Sequence, residues 1–217
     1  RSEIDGGRIV QNTGTLVWSG GTLTLGGGDP ALSLHSATLN NAAAAVLAIQ
    51  GDGTVATAGN GALLNAGTLL KTGGLGDTVV DAAVTNTGTI AVNAGTLEFA
   101  QPVAGSGTFL LDGFAALDFA GGTGSGSSLQ FLHPGGTLET QALGSFASVI
   151  SGFATGDTID AAAVGFVSGT TTVGFSGGTL TVADGGQSAA FALVGSYAAG
   201  SFHLAADGHG GTAVTYT

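Results

Sequence analysis

The chain has 217 residues, 14 of them Asp or Glu and three Lys or Arg, for a formal net charge of −11. With 43 % apolar residues it has material for a core, which excludes a disordered chain despite 42 glycines. From residue 72 onward ten carboxylates stand without one Lys or Arg, which excludes nucleic acid as a partner and disfavours an anionic membrane. Cys is absent, so disulfides, thiolate zinc sites and thiol catalysis are excluded too.

The chain opens on Arg1 and reads as a fragment or a processed piece, with any export signal outside it. Its first elements are short phrases of Gly-Thr followed by an apolar residue. These start at Gly14, Gly21, Gly53, Gly67, Gly88, Gly95, Gly107, Gly136, Gly178 and Gly211. Five of the nine gaps between them are multiples of seven, which marks a degenerate repeat. In "GTLTL" Leu23 and Leu25 alternate with Thr22 and Thr24; "GTIAV" and "GTLEF" do the same with Ile90, Val92, Leu97 and Phe99. Such period-two patterning predicts half-buried strands of four or five residues.

Asn-x-Gly precedes several of these strands: Asn12 with Gly14, Asn65 with Gly67, Asn86 with Gly88, Asn93 with Gly95. Asn and Gly tolerate positive φ, so these pairs read as sharp structural corners. About two residues of corner and five of strand make one side, and three sides make a coil; Asn65 to Asn86 is 21 residues. The arithmetic predicts an all-β, right-handed parallel β-solenoid (a β-helix). An antiparallel sandwich or a set of hairpins is the alternative. The stretch "NAAAAVLAIQ" (41–50) fits neither well and reads as a short helix or an Ala-lined coil, with little helix elsewhere.

Near residue 145 the texture changes: strands lengthen and aromatics rise. Residues 1–145 are read as the solenoid and 146–217 as a β-rich C-terminal cap continuous with it, ending in three or four strands joined by "ADGG", "SYAAG" and "DGHGG" turns. A solenoid end needs such a unit to cover strand edges and core.

The phrases "NTGTIAVNAGTLEF", "VISGFATGDTID", "GGTLTVADGG" and "FHLAADGHGGTAVTY" resemble the strand repeats of autotransporter passengers and large repetitive bacterial surface adhesins. That resemblance implies export to the cell surface or medium, a β-helical stalk, and a role in adhesion or surface assembly. It carries no catalytic residue, and the translocating barrel of autotransporters has no counterpart here.

A glycan-acting enzyme is the rival function, a hydrolase before a lyase, since a lyase would want a Lys or Arg. A hydrolase needs two carboxylates in one cleft. Asp112 with Asp118, Asp77 with Asp81 and Asp157 with Asp160 are the candidates, each also readable as turn formers. The histidines His35, His133, His203 and His209 lack metal-ligand spacing, although His203, Asp207 and His209 lie close in sequence. The expectation is therefore a structural or adhesive segment with no catalytic residue, no metal site and no cofactor assigned. Calcium at the acidic corner Asp157 and Asp160 stays open. The expected partners are further copies of the chain, end to end or lateral, and glycans or a host or neighbouring cell surface. The expected location is extracellular or on a bacterial cell surface.

Overall fold

The structure of the protein is a computed structural model that describes residues 2–27, 36–141, 143 and 146–217. The His35 reading lies outside the described residues. The chain winds around three faces. Ser2–Asp5 lies on the first, Arg8–Asn12 on the second and Thr15–Trp18 on the third; Gly21–Gly27 then returns to the first, paired parallel with Ser2–Asp5. Repetition of this path gives a parallel β-solenoid of about 7 turns.

The stacking register follows the repeat. Thr89–Val92 sits on Thr68–Lys71 with Thr89 over Thr68 and Ile90 over Leu69, a step of 21 residues. The step shortens to 19 where Phe109 follows Ile90 and lengthens to 24 where Leu63 follows Leu39, the difference being absorbed at corners. Each strand sends alternate side chains inward: in Thr96–Phe99, Leu97 and Phe99 are buried while Thr96 and Glu98 face out. The core changes character along the axis. Leu25, Leu39, Leu47, Ile49, Leu63 and Leu69 fill the early coils. Phe99, Phe109, Phe119 and Phe146 fill the later ones, with Phe99 stacked on Phe119 at 5.5 Å and Phe109 edge-on to Phe119 at 5.0 Å.

The corner between the second and third faces is held by a column of buried asparagines. Asn12 Nδ2 donates to Asn41 Oδ1 at 2.8 Å, Asn41 to Asn65 at 2.7 Å, and Asn65 to Asn86 at 2.9 Å. Each also donates to a main-chain carbonyl of the next coil, Val46, Thr68 and Thr89 respectively, at 2.9–3.0 Å. The column satisfies both sides of every amide in a place water does not reach. Two coils above Asn86 hydroxyls make a similar contact: the Ser148 hydroxyl bonds those of Ser127 and Thr123.

This corrects the reason given for these residues. None of the corner asparagines has a positive φ; among the described non-glycine residues only Ala44 and Phe114 do. Asn is there for its side-chain amide. Of the four corner glycines only Gly95 has a positive φ, at 60°. Gly67 and Gly88 are required by close approach, because a methyl at either would strike carbonyl oxygens of the coil beneath: Ala42 and Ala45 under Gly67, Gly67 itself under Gly88. Gly14 has free space around it. Asn93 stands apart from the column, exposed, at the corner between the third and first faces.

The helix reading of 41–50 is overturned. Asn41 ends the strand Ser36–Asn41, a tight turn follows with Ala44 at φ 64°, and Val46–Ile49 is a strand between Thr15–Trp18 and Thr68–Lys71. Two flanking strands supply hydrogen-bond partners that a helix would forfeit, so tertiary pairing overrides the helix propensity of alanine. The one helical turn among the described residues is the 3-10 turn Ala199–Ser201.

Parallel coils continue past residue 145 to Thr158–Ala161. Beyond them antiparallel pairs enter. Thr172–Ser176, Thr179–Asp184 and Gln187–Val194 form an antiparallel meander whose last strand lies parallel on Val149–Ser151. Phe202–Ala206 and Thr212–Tyr216 form a hairpin whose second strand lies antiparallel on Thr158–Ala161. Phe202 stacks on Phe153 at 6.5 Å, so the hairpin closes over the end of the aromatic core.

Candidate functional site

The outward row of the first face brings together four carboxylates that the chain keeps far apart. Thr96–Phe99, Ala116–Phe119, Thr137–Thr140 and Thr158–Ala161 are consecutive parallel strands, with Glu98 in register with Asp118, Asp118 with Glu139, and Glu139 with Asp160. In each strand the acidic residue lies between two inward-facing side chains, so all four point away from the core. Neighbouring rungs are about 4.7–4.9 Å apart, the spacing of paired strands.

Two rungs are buried although they face outward. Asp118 and Asp160 are each 9 % exposed, and each has one carboxylate oxygen, Oδ1, shut away from solvent without a hydrogen-bond partner. Burial, then the charges of Glu139, Glu98, Asp160 and Asp77, push the Asp118 carboxyl up to about 7. Asp160 is pushed up to about 6 by burial and by Asp207 and Glu139, with His209 opposing. Glu139 rises for the same reasons, burial first and then Asp207. No Lys or Arg follows residue 71 to offset the row.

The other sequence-derived candidates are used by the fold. Asp157 is 1 % exposed and accepts N–H bonds from Gly135, Gly136 and Ala154 at 3.0–3.2 Å, which ties one corner to the next. Asp160, in contrast, joins the outward row. Asp112 Oδ1 accepts the Gly113 N–H and bonds His133 Nδ1 at 2.6 Å, and these contacts hold its carboxyl below the usual range. It lies past the end of a third-face strand and is not brought to Asp118. Asp77 opens a first-face strand in register with Thr96 and adds its charge to the row; Asp81 falls beyond that strand's end. Asp207 accepts the N–H groups of His209, Gly210 and Gly211, while His203 bonds Thr217. Among the described residues no three His, Asp or Glu side chains converge as a ready-made metal cage.

Two features lay outside the sequence reading. Lys71 is completely buried, with Nζ on Asp52 Oδ1 at 3.1 Å and on the Gly73 carbonyl at 2.9 Å. Phe114 is 92 % exposed with a left-handed φ of 61°, its ring over Gly135. Nothing in the local sequence marks the first. The second follows "DG" at a corner, a turn signal that gives no hint of an outward ring.

The chain matches no protein-family model and no curated protein.

Proposed function

We propose that this chain is a structural segment of an exported bacterial surface protein: a stiff β-solenoid rod that positions adhesive or assembly contacts. The observation that carries the reading is the stack itself: about 7 turns of parallel coils in register around one apolar core. Strand pairing on three faces ties each coil to the next along its length.

The resemblance of the repeat phrases to bacterial surface adhesins supplies the surface location. The hydrolase alternative has less support, because the Asp112 and Asp118 pair is divided between a corner and the first face.

The test is small-angle scattering with sedimentation velocity in near-physiological salt. The expected result is a rigid, elongated particle with a β-type circular dichroism spectrum. A compact or flexible particle overturns the rod reading and moves the search to glycan binding and cleavage.

A further inference from the structure

We infer that the carboxylate row Glu98–Asp118–Glu139–Asp160 is a binding site for divalent cations of the calcium class. Three observations bear on it, each independent of the rod reading. The first is register: four carboxylates stand on four successive strands without a slip. Oxygen-to-calcium distances are about 2.3–2.6 Å, so an ion between two rungs spans about the 4.7–4.9 Å that separates paired strands. The row offers such a position between each pair of neighbours.

The second observation is the pair of stranded oxygens. Asp118 Oδ1 and Asp160 Oδ1 are buried acceptors with no donor. Native structures leave few such atoms, and a hard cation satisfies them in the way a missing N–H would. They belong to alternate rungs, so each can serve an ion shared with Glu139 between them.

The third is that no Lys or Arg follows residue 71 to oppose the row. Asp77 lies beside the row and Asp207 beside its last rungs, adding negative charge, while His209 acts against it at Glu139 and Asp160. Lys71 is committed to Asp52. Six carboxylates within one electrostatic neighbourhood repel one another when ionised, and a cation from outside relieves that repulsion. Calcium fits better than magnesium, because two carboxylates with water and a variable angle suit its loose six- to eight-fold shell, whereas magnesium demands a near-ideal octahedron. Two carboxylates per ion place the affinity in the range of extracellular modules, with Kd about 10⁻⁴–10⁻³ M. Asp157 is not a ligand, its oxygens being occupied by main-chain N–H groups.

The experiment is thermal unfolding and isothermal titration calorimetry at pH 7.5 with Ca²⁺ alone, against Mg²⁺ and against NaCl of equal ionic strength. The variants are Asp118→Asn, Glu139→Gln and, as a carboxylate outside the row, Asp184→Asn. Calcium is expected to raise the unfolding temperature by several degrees at 5 mM, with Mg²⁺ and NaCl giving less than half that shift. Asp118→Asn and Glu139→Gln are expected to weaken calcium binding tenfold or more while Asp184→Asn leaves it unchanged. The row variants remove negative charge from a buried rung (Asp118) and a half-buried one (Glu139), so the apo proteins should melt no lower than the parent, which separates loss of the site from loss of the fold. The inference is overturned if Ca²⁺ does no more than NaCl. It is equally overturned if the calcium shift survives unchanged in both row variants, or if lowering the pH from 8 to 6 stabilises the chain while calcium does not, which would make the proton the only occupant.

Discussion

Asn41 and Asn65, 24 residues apart, lie one coil above the other, and the amide of the first donates to the oxygen of the second at 2.7 Å in a place closed to solvent. Asn65 is an inner member of the column, with Asn41 on one side and Asn86 on the other. Its replacement by Ala removes the acceptor of Asn41 and the donor to both Asn86 Oδ1 and the Thr89 carbonyl. Each stranded buried group costs about 1–3 kcal/mol, so Asn65→Ala should destabilise by about 3 kcal/mol or more. Asn93→Ala, at an exposed corner, should stay within about 0.5 kcal/mol. Urea unfolding midpoints of the two variants check this, and equal midpoints would remove the column's structural role.

The glycines separate in the same way. A methyl at Gly88 collides with the Gly67 carbonyl, main chain against main chain, with no flexible side chain to give way; a methyl at Gly14 meets nothing. Gly88→Ala should therefore unfold at markedly lower urea or fail to fold. Gly14→Ala should be neutral or gain a few tenths of a kcal/mol from the stiffer unfolded chain. Soluble yield and urea midpoints read both.

Lys71 and Asp52 should respond unequally to substitution. Asp52 is 42 % exposed and also accepts the Gly76 N–H, so water and main chain can keep it satisfied alone; Lys71 is fully buried. Lys71→Met replaces a buried ammonium by an apolar chain of similar volume and should cost little. Asp52→Ala leaves the ammonium buried with the Gly73 carbonyl alone and should be the more damaging change. Reversal of that order in denaturant titrations would show that the lysine reaches water.

The acidic row reverses the usual pH trend of an acidic protein. Asp118 and Asp160 have folded values of about 7 and about 6 against an ordinary 3.8, so the folded chain binds more protons than the unfolded chain between those limits. Stability is then present below 3.8 and lost as the pH rises toward 7. Asp52 and Asp112 are shifted downward and act with the opposite sign at lower pH. In a calcium-free, chelator-containing buffer the unfolding temperature should therefore fall from pH 5 to pH 7.5. Asp118→Asn should flatten that slope and melt higher than the parent at pH 8. A flat or rising profile in the parent would show that the row is not desolvated.

Much of the coil was legible because its signals are local. Leu97 and Phe99 announce an inward face, and the 21-residue step from Asn65 to Asn86 is the distance between two members of the column. Asn41 escaped because Ala rather than Gly stands two places after it, and the alanines that follow favour a helix until flanking strands are supplied. The carboxylate row did leave a trace. "TLEF", "ALDF", "TLET" and "TIDA" repeat one pattern at steps of 20, 21 and 21 residues. It was hidden because "ALDF" and "TIDA" lack the Gly-Thr that opens "TLEF" and "TLET", and because an acid is read against its chain neighbours before its neighbours one coil away. The burial of Lys71 had no local signal at all, since its partner Asp52 belongs to the previous coil.

The in-register stacking of Thr68 under Thr89 and of Asn65 under Asn86 makes length a separable property of this molecule. Excising residues 66–86 would join Asn65 to Thr87 and seat Thr89–Val92 directly on Val46–Ile49, in the place that Thr68–Lys71 holds now. The amide column would close over the gap one member shorter, and every later strand would drop by one storey onto a partner of the same kind. A lineage carrying such a gene could lengthen or shorten its product by recombination between neighbouring repeats, trading reach for economy without redesigning a single packing contact at either end.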